Sequence, residues 1–427
     1  MKPVDVQLEQ ARADQEQSQS IDEAAPGHRE GVALCLSGGG YRAALFHLGA
    51  LLRLHETGWL PQVRLFSSVS GGSIVSAWLA TRFMAGRSGP GESFADWCGR
   101  IDFRTEVVEP FRAFAGDDIR TWPVLSTLPF NWLWPSRRVR KLEHAYARHL
   151  GGPTLPELPE EPSFVFCASD LTFGVNWEFS RRRVGDYMAG YLREPRRIRL
   201  ARAVAASSSF PPVFGPVRFP ARAADFTGGK YRGKDGAQLR AHIDLTDGGV
   251  YDNLAMEPAL KQYRTVLVSD AGSLFEFETR RWFLQRLLRY TNVIGNQARA
   301  LRKRHFHACR AHGAFDGVIW SLIGPFGENG GGASERGAGY LEEFVSETIG
   351  RIRTDLDRFL DPEFEVLVNH GYFMCGHGLD SRPGTRPPEG LGEWRWPYPD
   401  MADPDRVRHA LRDSHARILH TRWFRRR

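Results

Sequence analysis

The sequence predicts an α/β fold, with a central, mostly parallel sheet covered by helices on both faces. Three observations carry this. Short apolar runs at 32–36 and 63–68 are each followed by a pattern of helical period. Four more β-rich runs, at 164–169, 175–180, 242–246 and 265–269, appear further along. The 427 residues, 42% hydrophobic and with twelve Trp, are enough to bury a large core.

Taken in order, residues 1–30 are rich in Gln, Glu, Asp and Ser and read as a disordered acidic arm. Residues 32–36 form a buried-type strand. From Tyr41 the apolar positions Ala44, Leu45, Leu48, Leu51 and Leu52 keep helical spacing until Gly58 stops the helix. The run 63–68 is the second strand, and Ile74, Val75, Trp78, Leu79 and Phe83 mark the second helix. Residues 86–160 lose this alternation and carry an aromatic cluster (Trp122, Phe130, Trp132, Trp134). They are expected to be a helical insertion over the mouth of any site at the sheet edge. After the later strands, 227–238 reads as an exposed excursion and 330–332 as a loop. Residues 31–275 are expected to form the main α/β domain, and 276–427 a mainly helical, basic C-terminal extension. Within that extension, 278–305 reads as an amphipathic basic helix, either a solvated surface helix or a docking face for a membrane or acidic partner.

The formal charge is +7, and its placement is uneven: residues 405–427 hold eight Arg against two Asp. A basic tail tipped by Trp423 and Phe424 suits anionic headgroups or simply a solvated helix end. Only six of the 57 basic residues are Lys, a bias that is no sign of nucleic-acid binding. The five cysteines are an odd number without a CxxC pair, so neither a disulfide framework nor a metal site is expected. A cytoplasmic setting fits, since no secretory leader and no apolar run of bilayer length is seen.

Two motifs point to chemistry. Ser37-Gly38-Gly39-Gly40-Tyr41-Arg42 lies between the first strand and helix, where Gly38, Gly39 and Gly40 offer backbone N–H groups to a developing negative charge. Ser68-Val69-Ser70-Gly71-Gly72 puts Ser70 on a strand-to-helix turn, with small residues where such an elbow is crowded. A serine nucleophile needs a base. Asp247-Gly248-Gly249, at the end of a strand, offers a carboxylate, although Asp-Gly-Gly alone is equally a turn signal. No histidine has a comparable strand-end context. A dinucleotide site fits Gly38, Gly40 and Ala43, but the next strand ends in serines and carries no acid for a ribose.

Together these blocks resemble the patatin-like phospholipases of bacterial type. The glycine motif is similar to that family's DGGGxR, the Ser70 turn to its GxSxG elbow, and Asp247-Gly248-Gly249 to its DGG. Ala205-Ala206-Ser207-Ser208-Ser209-Phe210-Pro211-Pro212 is similar to the segment preceding the aspartate, and Ala168-Ser169-Asp170-Leu171-Thr172 to a strand-end block. Ser37 and Ser68 stand where the family usually has an acidic residue and a glycine. Residues 368–372 are similar to a helix of some bacterial members. The resemblance implies a modified α/β-hydrolase in three α/β/α layers. It also implies Ser70 as nucleophile, Asp247 as base and Gly38, Gly39 and Gly40 as oxyanion loop. Arg42, Gly72, Gly248 and Gly249 are supporting residues, with Arg42 bracing the loop or its carbonyls. It implies no metal or cofactor, a phospholipid or lysophospholipid substrate, and peripheral contact with a membrane surface. A transacylase or thioesterase using the same pair, and a non-catalytic regulatory protein on this fold, are the alternatives.

Overall fold

Strand β1 (Arg29–Leu36) is apolar and buried from Val32 to its end and runs into helix α1 (Gly40–Glu56); β2 (Val63–Val69) runs likewise into α2 (Gly71–Gly86). The computed structural model describes residues 29–126, 135–193, 198–211, 214–272, 283–324, 339–381 and 394–415. Outside these lie most of the expected acidic arm, Phe130, Trp132, Trp134, Pro212, the loop 330–332 and the tail from Arg422. Helix α2 is buried on all sides through Ile74, Val75, Ala77, Trp78, Leu79, Ala80 and Phe83, as suits a helix of the core.

Short helices fill the insertion, including α3 (Thr121–Leu125) and α4 (Pro135–Leu150). Strands β3 (Ser163–Asp170), β4 (Val175–Phe179), β5 (Val184–Asp186) and β6 (Gly190–Leu192) follow, then helix α5 (Leu200–Ser207). After it come β7 (Val217–Arg218), β8 (Phe226–Thr227), β9 (Asp244–Asp247) and β10 (Tyr263–Asp270). Helix α6 (Phe283–Ala311), β11 (Asp316–Ser321) and α7 (Asp361–Asp380) complete the main framework.

Five strands run parallel in the order β11-β10-β1-β2-β3, and the sheet continues antiparallel through β4, β5, β6 and β8. Parallel pairing puts the C-terminal ends of β1, β2 and β10 on one edge, where α/β sheets bind their ligands. Strand β3 is the pivot. One of its edges is covered by β4, while its other edge is shared. There β2 pairs up to Val69↔Cys167, and β9 takes over at Ala168↔Asp247. Asp247 therefore falls in line with β2, immediately past the point where that strand turns into α2.

The chain beyond 275 adds β11 to the sheet, parallel to β10, and lays α7 across α1. The helix crossing is backbone to backbone. A Cβ on Gly49 would overlap the Val368 carbonyl, and one on Gly371 would overlap that of Phe46. Residues 368–372, singled out in the sequence, are the centre of this crossing. Among the described residues no helix is long and apolar enough to cross a membrane.

Candidate active site

Ser70 directly follows β2 and caps α2 with φ 52° and ψ −116°, a conformation that L-residues avoid. The turn is held by close packing and a buried serine relay. The Ser70 N–H donates to Ser207 Oγ at 3.0 Å, and Ser207 Oγ donates to the Cys167 carbonyl at 2.6 Å. Ser73 Oγ lies 2.8 Å from Ser207 Oγ and 3.2 Å from Ser68 Oγ, which donates to the Val165 carbonyl at 3.1 Å. The Ser68 side chain thus fits where the elbow usually has glycine, because it turns toward β3 and finds an acceptor there. Gly71 packs on the Gly40 backbone and Gly72 on that of Leu36, so neither tolerates a side chain.

Asp247 is held by both of its neighbours. Its N–H donates to the Ser209 carbonyl at 3.1 Å, the Gly248 N–H donates to the Ser207 carbonyl at 3.2 Å, and Ser169 Oγ donates to the Asp247 carbonyl at 2.8 Å. This is what the Ala/Ser-rich block does: its carbonyls and Ser207 hydroxyl tie the two candidate reacting turns to one another. The Gly249 N–H donates to Asp247 Oδ1 at 2.7 Å, while Oδ2 is buried with no hydrogen bond of normal geometry. Burial pushes the carboxyl up to about 7, against the downward pull of the Gly249 N–H and the Ser70 hydroxyl that faces it. Ser70 is 9% exposed and Asp247 2%, so the pair sits at the floor of the edge rather than on an open surface.

The three loop glycines divide. The Gly38 N–H is committed to the Asn253 carbonyl at 3.1 Å, and a Cβ there would come 3.1 Å from that of Ser70. Gly39 (φ 140°) and Gly40 (φ 60°) adopt backbone angles that favour glycine, and their N–H groups make no hydrogen bond among the described residues. Two unpartnered donors therefore stand beside the Ser70 turn, not three.

Arg42 is buried and donates to the carbonyls of Gly350, Ile352 and Ala271 (3.3, 3.1 and 3.1 Å). It braces the strut behind the loop, since the Ala271 carbonyl lies against Gly39. Ser37, at the usual acidic position, accepts the Ala271 N–H on its hydroxyl at 2.8 Å, and its carbonyl accepts the Gly72 N–H at 3.0 Å. His47 is locked behind the loop. Nε2 donates to the Ser37 carbonyl at 2.9 Å, Nδ1 accepts from Ser269 Oγ at 2.8 Å, and burial lowers its pKa to about 4. It is neutral and fully used, unsuited to act as a base.

Sequence reasoning missed two contributors. Asn253 joins the glycine loop to the Asp247 turn through its carbonyl and through Oδ1, which fills the space beside Gly38 and Gly249. Its only signal is that it lies six residues after Asp247. Tyr146, from the insertion, is fully buried and places its hydroxyl 2.8 Å from Ser208 Oγ; burial raises its pKa, and the nearby Asp247 charge adds to the rise. A separate cleft of about 280 Å³, lined by Glu143, Arg199, Arg202 and Phe219 among others, includes neither Ser70 nor Asp247.

A sheet that presents a serine on a strained turn at its C-terminal edge, next to a buried carboxylate, belongs to the α/β-hydrolase-like folds. The chain matches the family model of patatin-like phospholipases over residues 34–260, more than half its length, and belongs to that family. Among solved structures it is similar to human GIVD cytosolic phospholipase A2, at 15% identity and TM-score 0.38, covering 62% of this chain and 49% of that one. It is also similar to VipD from Legionella pneumophila, at 15% identity and TM-score 0.34, covering 84% of this chain and 68% of that one. The chain spans about half the length of the human protein. No curated protein sequence matches it.

Proposed function

We propose that this protein cleaves acyl esters of phospholipids or lysophospholipids at a membrane surface, with Ser70 as nucleophile and Asp247 as base. The observation that carries the reading is the shared edge of β3, which sets Asp247 in line with β2 just past Ser70, with Oδ2 unpartnered. Asp247 takes the Ser70 proton as the hydroxyl oxygen attacks the ester carbonyl, and gives it to the departing alcohol oxygen as the ester bond breaks. A pKa near 7 suits a group that gains and returns a proton at neutral pH. Gly39 and Gly40 donate to the oxyanion, each such donor typically being worth about 3–4 kcal/mol of barrier. Gly38 serves by its lack of a side chain. Water, deprotonated by Asp247, then releases the fatty acid from Ser70.

The backbone strain at Ser70 and the buried, raised carboxyl both cost stability, and each favours a working site over a purely structural one. Fatty-acid release from phospholipid vesicles is the test, with Ser70→Ala and Asp247→Asn alongside. Release by the native protein and its loss in both variants is expected. Undiminished release by either variant refutes the assignment. Labelling of Ser70 by a fluorophosphonate without release would instead point to another acyl substrate.

A further inference from the structure

The contacts that fix helix α6 among the described residues lie in its C-terminal half. Arg299 donates to Asp270 Oδ2 at 2.8 Å, Lys303 pairs with the same carboxylate, and Arg302 pairs with Asp252 at 3.4 Å. Asp270 is the last residue of β10, at the catalytic edge, and its carboxylate is held well below the usual range by these cations. Further on, Phe306 is buried against Phe315, and Arg310 donates to the Gly317 carbonyl at 3.1 Å, toward the opposite edge of the sheet. The helix thus runs down the sheet from the catalytic edge. Asp270 ends β10, so a helix continuing straight back from Arg299 passes beyond that edge. Residues 283–298 correspond to roughly 24 Å of helix.

The described side chains of this half are largely exposed. Residues 290–295 are all exposed, which is more than one full turn. Tyr290, Val293 and Ile294 are 61%, 39% and 68% exposed at helical spacing, and Leu301, 59% exposed, continues the same stripe down to the edge. Phe210 and Val250, both exposed, flank Asp247 at the same edge. The sequence of α6 contains seven Arg or Lys and no acidic residue, and among the described residues Arg286 is exposed in the projecting half.

We infer that the projecting half of α6 is the element that seats this protein on an anionic phospholipid bilayer, its apolar stripe entering the interface beside the catalytic edge. An apolar stripe on a helix with bases and no acids is the pattern that anionic interfaces attract. Because the foot of the helix is tied to Asp270 and Asp252, its docking fixes the orientation of the edge that carries Ser70. The inference rests on the acyl-ester reading of the site, yet the two are separable by experiment.

Binding is measured by sedimentation of the Ser70→Ala protein with phosphatidylcholine vesicles, with and without phosphatidylglycerol. Tyr290→Asp/Ile294→Asp and Arg286→Gln are introduced in that background. The double variant is expected to lose about tenfold or more in partitioning. Arg286→Gln is expected to lose about fivefold, only on the anionic vesicles. With Ser70 intact, the double variant should release less fatty acid from vesicles while hydrolysing a monomeric short-chain ester at the native rate. Native-like vesicle binding by the double variant overturns the inference, as does equal loss on the monomeric ester. So does an effect confined to self-association in size-exclusion chromatography, which would make a second copy the occupant. If the native protein hydrolyses neither substrate, the reading of the site fails, while the binding measurement still decides the role of α6.

Discussion

Replacing Asp247 by Asn should make the protein inactive and, at neutral pH, more stable. The carboxyl is 2% exposed, and burial raises it from 3.8 to about 7. Between those values the unfolded chain has released the proton that the native state still holds. Native stability therefore falls as pH climbs from about 4 to about 7, and is level above that. The ceiling on the loss is about 4 kcal/mol, from about 1.4 kcal/mol for each tenfold of proton affinity. Asparagine has no such dependence. Urea unfolding followed by Trp fluorescence, across pH 4–8, should show the Asn variant gaining on the native protein by up to that amount. Over the same range, kcat/KM of the native protein on a monomeric ester should rise about tenfold per pH unit below about 7 and then level off. Parallel stability curves for the two proteins, or an activity already level at pH 5, would refute the reasoning. The ionised, reactive form is thus also the less stable one.

Three further outcomes follow from particular contacts. Ser70→Gly should be inactive but about 1 kcal/mol more stable than Ser70→Ala, since glycine relieves the φ of 52° that alanine keeps; equal melting points would rule out strain at the elbow. Ser207→Ala removes the acceptor of the Ser70 N–H and leaves a buried donor unpaired, at about 1–3 kcal/mol. Its kcat should fall about tenfold or more with KM unchanged, and a variant with native kcat would show that the relay does not position the nucleophile. Gly371→Ala drives a methyl into the Phe46 carbonyl at the crossing of α7 and α1, and should cost about 1–3 kcal/mol in denaturant unfolding. A native midpoint would mean that α7 is not packed as described.

Much of the framework was legible because it obeys simple periods. The run 32–36 sits inside β1, 63–68 inside β2, and the helices after Tyr41 and Gly71 are α1 and α2. The runs at 164–169, 175–180, 242–246 and 265–269 each mark a strand to within a residue or two. The short antiparallel strands β5 to β8 escaped notice, because two or three residues are too few to show an alternation. Strand β11 was missed as well, and with it the fact that residues beyond 275 complete the sheet.

By itself the sequence determined the chemistry on offer: a serine at a strand end, a carboxylate before two glycines, and a glycine loop opening a helix. Those are local properties, set by residue type and by what a turn sterically allows. Tertiary structure alone decided how they meet. The handover from β2 to β9 along β3 brings residues 70 and 247 together across a gap in sequence that no local pattern spans. It also decided that the Gly38 N–H goes to Asn253, leaving Gly39 and Gly40 as the open donors, and that residues 290–295 of α6 are exposed. Burial, partner and direction are properties of packed neighbours, and a neighbour is chosen only when the chain has folded.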